Sequence, residues 1–329
     1  MHAHITLDTT VPQPEVTERP IDELAQSQPD FEGRTAVDGL RHMHEQRVAD
    51  LANYDSLRVY PTNLTDGPLT LISYRDGRPG MDDLTKRITR NRQVIYKKKG
   101  LLETSAKEVD KIRGPGVEFY ALLQTTIEES GVPIASLRKI HTTEAGAVEQ
   151  SPSFVKFEEQ DALDPEEVEA YKERAAGRKV VEIGALWKEE DFAFDAQLSL
   201  YRRAIQDSIE RDEIWFMGVV NPVHRTLTRT FGPRVIRTIG EPIAVEDEDA
   251  RKHVRINPAY VDPKTFFDDM LDGVEADKLA GDFKAAYKKE YMISFFLKGL
   301  NTRLLSDSTI ARLRPQLGVV VVGGERIAA

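Results

Sequence analysis

One acid stands in the apolar run Val180–Trp187 (VVEIGALW), and it is Glu182. Strand alternation puts Glu182 on a face with Val180, Gly184 and Leu186. A carboxylate buried on such a face is expected to have a raised pKa and to serve as a general base near neutral pH. Gly218 lies inside a second apolar run, Ile214–Val220 (IWFMGVV), where a missing side chain allows a bulge or the close approach of a ligand backbone. Arg138 occupies the middle of Ile134–Ile140 (IASLRKI), and a buried arginine there needs an anion. The cationic run Arg87–Lys99 offers a basic helix face for an acidic carrier protein or a phosphate-rich cofactor, unless it is only solvated charge. Glu108 and Asp110, in EVDKIRGPG, are at the least turn formers.

The elements that must position these groups are legible as alternation and helical spacing. Leu69–Tyr74 reads as a strand, followed by a helix from Asp82 to a stop at Gly100 with Leu84, Ile88, Val94 and Ile95 apolar. Two adjacent antiparallel strands follow, VEFYALLQ and IASLRKI, joined by the turn signal SGVP. His141–Phe157 reads as loop, and Leu163–Lys179 as a charged helix capped by Asp164, opened by Pro165 and ended by Gly177. The run Val180–Val245 then gives strand, helix, strand, short helix, strand, with Asn221-Pro222 as N-cap and first turn and Gly232 as stop. Beyond it, residues 247–263 read as a polar loop with a short extended piece. A helix with Phe266, Phe267, Met270 and Leu271 comes next, then a longer aromatic packing helix over Asp282–Leu304. LGVVVVGG is an edge strand or a dimer contact. The expected organisation is a flexible tail over residues 1–34, a domain over 35–275 opening on a helix at Val37–Tyr54, and a C-terminal helical extension over 276–329.

Composition narrows the chemistry. The chain has 329 residues, 40% hydrophobic and 30% charged, enough for a sizeable core. Forty-five basic against 55 acidic residues give a net charge of −10, which argues against general nucleic-acid binding. No long uncharged apolar run suggests a membrane span, and the polar N-terminus lacks a secretory h-region, so a cytoplasmic protein is expected. Zero cysteines exclude disulfides, thiol catalysis and cysteine-bound metals. His42 and His44 would point about 200° apart on a helix, and no histidine spacing suits a metal. Phosphate-binding glycine loops, nucleophile elbows and zinc-protease motifs are all missing.

Taken in order, the strands and helices resemble the Gcn5-related N-acyltransferase (GNAT) superfamily, and within it the branch of acyl-homoserine-lactone synthases and long-chain N-acyl amino acid synthases. The resemblance runs from about Leu69 to Met270. It is carried by Arg92 in RQVIYKKKG, Glu108 and Asp110 of EVD, Arg138 in SLRKI, Phe157 in FVKF and Glu182 in VVEIGAL. It implies an α+β fold with a GNAT-like mixed, mostly antiparallel central sheet flanked by helices, with extra N- and C-terminal helices. It also implies acyl transfer from a thioester to an amine such as an amino acid. Glu182 would be the base, and Arg92, Glu108, Asp110, Arg138, Phe157, Trp187 and Gly218 would bind substrate or donor around a cleft between Val180–Trp187 and Ile214–Val220. No metal or tightly bound cofactor is implied; acyl-CoA or an acyl carrier protein (ACP) would present the acyl group. Arg113 and Ala185 replace an acid and an arginine usual in the autoinducer synthases, and the loop KEEDFAFDA lacks the glycines that hold the CoA pyrophosphate. The donor reading therefore leans toward a carrier-bound acyl group. Two alternatives stay open: a non-catalytic binding or regulatory protein on the same fold, and an unrelated α/β scaffold in which Glu182 is an ion-pair partner.

Overall fold

The computed structural model describes residues 58–61, 69–98, 113–125, 130–189, 194–245, 254–317, 319–322 and 325–328. The expected tail, the helix at Val37–Tyr54, Glu108, Asp110 and the stop at Gly100 lie outside them. Among the described residues, β1 (Arg58–Pro61), β2 (Leu69–Arg75), α1 (Asp82–Lys98), β3 (Val117–Thr125) and β4 (Ser130–Ala145) come first. They are followed by α2 (Pro152–Glu159), α3 (Pro165–Ala175), β5 (Lys179–Lys188), α4 (Phe194–Arg211), β6 (Glu213–Val220) and α5 (Asn221–Phe231). The chain continues with β7 (Arg237–Thr238), β8 (Ile243–Val245), β9 (Val254–Val261), α6 (Phe266–Leu279), α7 (Phe283–Leu297) and α8 (Asp307–Leu317). A separate hairpin of β10 (Val319–Val322) and β11 (Glu325–Ala328) follows.

The main sheet runs β1-β2-β3-β4-β5-β6-β9, with β7 and β8 pairing successive stretches of β9. Every neighbouring pair is antiparallel except β5 and β6. That pair is parallel because α4 carries the chain back across the sheet between them, the crossover that a parallel neighbour requires. This is the α+β, mixed and mostly antiparallel sheet flanked by helices that the sequence led us to expect. Under α4–α7 one face of the sheet buries Leu137, Val181, Ile183, Trp215 and Met217. On the other face the core is in two parts. Ile72, Phe119 and Trp187 lie with Ile88 and Ile95 of α1, while Val180, Ile214 and Phe216 lie with Phe154, Phe157 and Tyr171 of α2 and α3.

Several expectations change. SGVP belongs to β4 itself, which is long and bulged against β3 near Leu122 and Gln124. The supposed loop before Phe157 contains the end of β4 and helix α2, started by Pro152 at its first position. Asn221 is the first helical residue of α5, not its cap. Residues 254–261 form a full strand in the sheet, despite Pro258. Proline there lacks an N–H to donate, and its carbonyl accepts from Ile239 N at 3.1 Å. Helix α6 runs through position 275, and α7 packs on it: Lys289 crosses Gly273, whose missing Cβ leaves room for the lysine stem, to reach Asp277 at 2.5 Å. The aromatic helix ends at Leu297, and α8 follows it without having been anticipated. Val94 is exposed rather than part of the α1 core face.

Beneath α4 lies a wholly buried polar network. Lys139 Nζ donates to Glu213 Oε2 (2.8 Å), Ser208 Oγ (2.7 Å) and the Ala204 carbonyl (3.0 Å), which uses all three of its protons. Next to it, Glu118 accepts from both ends of the Arg211 guanidinium (2.7 and 3.1 Å) and pairs with His141 Nε2 at 3.2 Å. Burial alone would raise the Glu118 carboxyl, but the His141 and Arg211 bonds and the Lys139 charge hold it well below the ordinary glutamate range. A group depressed in the folded state contributes stability above its unfolded pKa and loses it as pH falls. Lowering pH from 7 to 3 should therefore weaken the protein most below about 4. Glu118→Gln should begin about 3 kcal/mol less stable and show a flatter pH dependence in urea melts. Parallel curves for the two proteins would refute this account.

Candidate active site at the fork of the parallel strands

Strands β5 and β6 stay paired only from Lys179↔Glu213 to Glu182↔Phe216. Beyond that step β5 follows β4 and β6 follows β9, so a fork opens with Glu182 at its apex. The cause sits two to three residues on. The β4–β5 register passes from Arg138↔Gly184 to Ser136↔Trp187, which leaves one extra residue on β5, and Ala185 adopts φ +53°. Such a bulge bends its strand and increases the twist. It also reverses the alternation. Leu186 packs on the α4 face, and Trp187 takes the Glu182 side, opposite to the simple reading of VVEIGALW.

Glu182 is buried, but not among apolar groups as expected. Its Oε2 accepts from Ser151 Oγ (2.6 Å) and Ser153 N (2.8 Å), and its Oε1 from Ser153 Oγ (2.7 Å). These donors come from the first turn of α2, where the orphan N–H groups and helix dipole favour a carboxylate. The serines were not singled out in the sequence. Ser-Pro-Ser opening a short helix was the available signal. Gly218 completes the arrangement from β6: a Cβ there would lie 3.3 Å from Ser153 Oγ and 3.4 Å from Ile256 Cγ2. Phe157 supports α2 from below, edge-on to Phe216. Tyr171 of α3 is fully buried, and its hydroxyl has no hydrogen-bond partner among the described residues. Burial first, and the Glu182 charge second, push that phenol far up, so it holds its proton.

Two cations complete the cluster. Arg92 of α1 and Arg138 of β4 are both buried, so the basic run of α1 is not solely a solvated face. Arg138 is pushed down to about 10 by burial and by the nearby Arg92, with the Glu182 charge opposing the shift. Burial likewise lowers Arg92. The Arg92 guanidinium lies 5.9 Å from the Tyr96 ring centre, and the Tyr96 hydroxyl donates to the Leu186 carbonyl at 3.0 Å, on the bulge. Helix α1 thus ties to the bent part of β5. Trp187 is sealed in the core beneath α1, its indole N–H without a partner among the described residues. Glu182, Arg92, Arg138, Phe157 and Gly218 therefore meet around the fork, and Trp187 lies behind it. Among the described residues no three acids or histidines are grouped to hold a metal.

The fold is a mixed, mostly antiparallel α+β sheet with one parallel pair that forks at Glu182. Similar solved structures include FeeM, an N-acyl amino acid synthase from uncultured soil microbes, at TM-score 0.41 and 15% identity, over 60% of this chain and 94% of that one. They also include Arabidopsis thaliana NAA60 in complex with acetyl-CoA, at TM-score 0.37 and 12% identity over 58% and 97%, and NAA60 with a bisubstrate analogue, at TM-score 0.37 and 11% identity over 58% and 98%. No family model matches the chain, and no curated protein sequence does.

The left-handed backbone at Ala185 gives a direct test of the bulge. Ala185→Gly relieves the strain at an entropic cost of similar size, about 1 kcal/mol, and should leave the melting temperature nearly unchanged. Ala185→Val, β-branched at positive φ, should lower stability by about 2 kcal/mol. Equal melting temperatures for the Val variant and the wild type would show that position 185 does not keep this conformation.

Proposed function

We propose that the chain is an N-acyltransferase that moves an acyl group from a thioester to an amine such as an amino acid. The observation that carries this reading is the fork itself: a parallel pair that ends at a buried carboxylate, next to a bulge at Ala185. In the proposed reaction the thioester lies between β5 and β6, and backbone N–H groups at the bend polarise its carbonyl. The neutral amine attacks the carbonyl carbon, and its proton passes to Glu182, directly or through water. The C–S bond then breaks, leaving an amide and a thiolate that takes up a proton. Arg92 and Arg138 supply positive charge for an anionic part of the substrate. Phe157 and Gly218 shape the cleft, Trp187 backs it, and Glu108 and Asp110 keep the substrate-binding role that the family resemblance implies.

For the donor, the acidic glycine-free sequence 188–196 is a poor cradle for a pyrophosphate and favours an acyl group presented on a carrier protein over free acyl-CoA. No helix among the described residues is long and apolar enough to cross a membrane.

A second reading, a binding protein that keeps the fold, is favoured by one observation. Three donors from Ser151 and Ser153 engage both Glu182 oxygens, which is how a structural carboxylate is held.

Amine-dependent thiol release from acyl-ACP and acyl-CoA separates the two. We expect turnover that falls about 10²–10⁴-fold in kcat for Glu182→Gln, with KM little changed. Release unaffected by the substitution removes Glu182 as base. Thioester binding without amine-dependent release supports the second reading.

A further inference from the structure

Helix α7 is apolar on both sides. Its inner face buries Ala286, Met292, Ile293 and Phe296 against α4–α6. The opposite face carries Phe283, Tyr287 and Tyr291, one every fourth residue and 69%, 72% and 55% exposed. Leu279, at the end of α6, extends the row across the turn and is 91% exposed. A surface helix ordinarily places polar groups there, and single exposed apolar residues need no explanation, but a continuous row does.

The charges beside this row are mainly positive. Asp277 is taken by Lys289 at 2.5 Å and Glu290 by Lys278 at 2.7 Å, while Asp282 caps the helix by accepting from the Ala285 N–H at 3.0 Å and keeps its charge. Lys284 and Lys288 flank the aromatics on the exposed side, with no ion-pair partner among the described residues. On a chain of net charge −10, this corner presents aromatic rings next to two lysines set against the single carboxylate of Asp282.

We propose that the α6–α7 corner docks the protein on an anionic lipid bilayer. Leu279, Phe283, Tyr287 and Tyr291 enter the boundary between headgroups and acyl chains, where amphipathic rings are favoured, and Lys284 and Lys288 meet lipid phosphates. A second copy of the chain fits the face less well. Two-fold pairing would bring the same lysines against each other, with only Asp282 of each copy to answer them. An acidic protein partner would answer the lysines, but the four apolar side chains stand on a helix back and a turn, not in a groove that would receive side chains. The proposal rests on this corner alone and is independent of the acyl-transfer reading.

The test is co-sedimentation of the full chain with vesicles of phosphatidylcholine, with and without phosphatidylglycerol. The protein should pellet with the anionic vesicles and remain in solution with the neutral ones. Phe283→Ser with Tyr287→Ser should weaken partitioning on the order of tenfold or more, with melting temperature and thiol release unchanged because both side chains are exposed. Lys284→Glu with Lys288→Glu should abolish the preference for anionic lipid. Failure to pellet with anionic vesicles would overturn the proposal, as would binding indifferent to all four substitutions. So would a solution dimer that the Phe283/Tyr287 double variant dissociates, since the face would then belong to a second copy.

Discussion

A parallel strand pair that lasts four residues and then separates is the constraint on which the rest of this structure depends. Separating two strands inside a sheet is costly, because each peptide group that leaves the ladder needs another partner. The chain meets the cost by giving each strand a second neighbour that continues past the fork, β4 for β5 and β9 for β6. It also bends only one of the two. The bulge at Ala185 turns β5 away, while β6 runs on straight against β9 as far as Val220↔Ile256.

The closed end of the fork is pinned by charge. Glu213 opens β6, Lys139 reaches it from β4, and Ser208 of α4 bonds to both. Just outside, Arg178 bonds to Asp212, to both carboxylate oxygens of Asp262 and to the Glu213 carbonyl. These ions join β4, α4, β5, β6 and the loop after β9 at one point. Buried ion pairs add little net stability over apolar packing, but they have one satisfactory geometry, and a slip of β6 against β5 would leave several charges unpaired. The network thereby fixes where pairing starts, and the bulge fixes where it stops.

Most of the architecture was legible because periodicity and punctuation report local structure. The strands around Glu182 and Gly218 and the capped helix at Asp164 stand as read. What could not be read depends on contacts between distant segments. Nothing local in VVEIGALW says that Ala185 takes a left-handed conformation, so Leu186 and Trp187 were placed on the wrong faces. The serines that hold Glu182 lie thirty residues earlier, in a stretch whose turn residues hide a short helix. Strand β9 was missed because its burial comes from its position between β6 and the β7 and β8 segments, not from a strongly apolar sequence. The outer aromatics of α7 were read as packing because residue type alone does not tell a second apolar face from a first.

The position of Glu182 follows from these two fixed points. Val180, one step back on the same face, is enclosed by the aromatic cluster under α3 and has no route to the opening. Gly184, one step on, has already left β6 and adjoins the bulge, where the strand changes direction. Residue 182 is the last on that face whose backbone is held on both sides, by Ile140 and by Phe216, while its side chain reaches the gap. A carboxylate there is anchored as firmly as a core residue at the point where the two strands part. The donors from Ser151 and Ser153 then fix the direction in which it points, and Gly218 must remain without a side chain so that Ser153 can stand where it does.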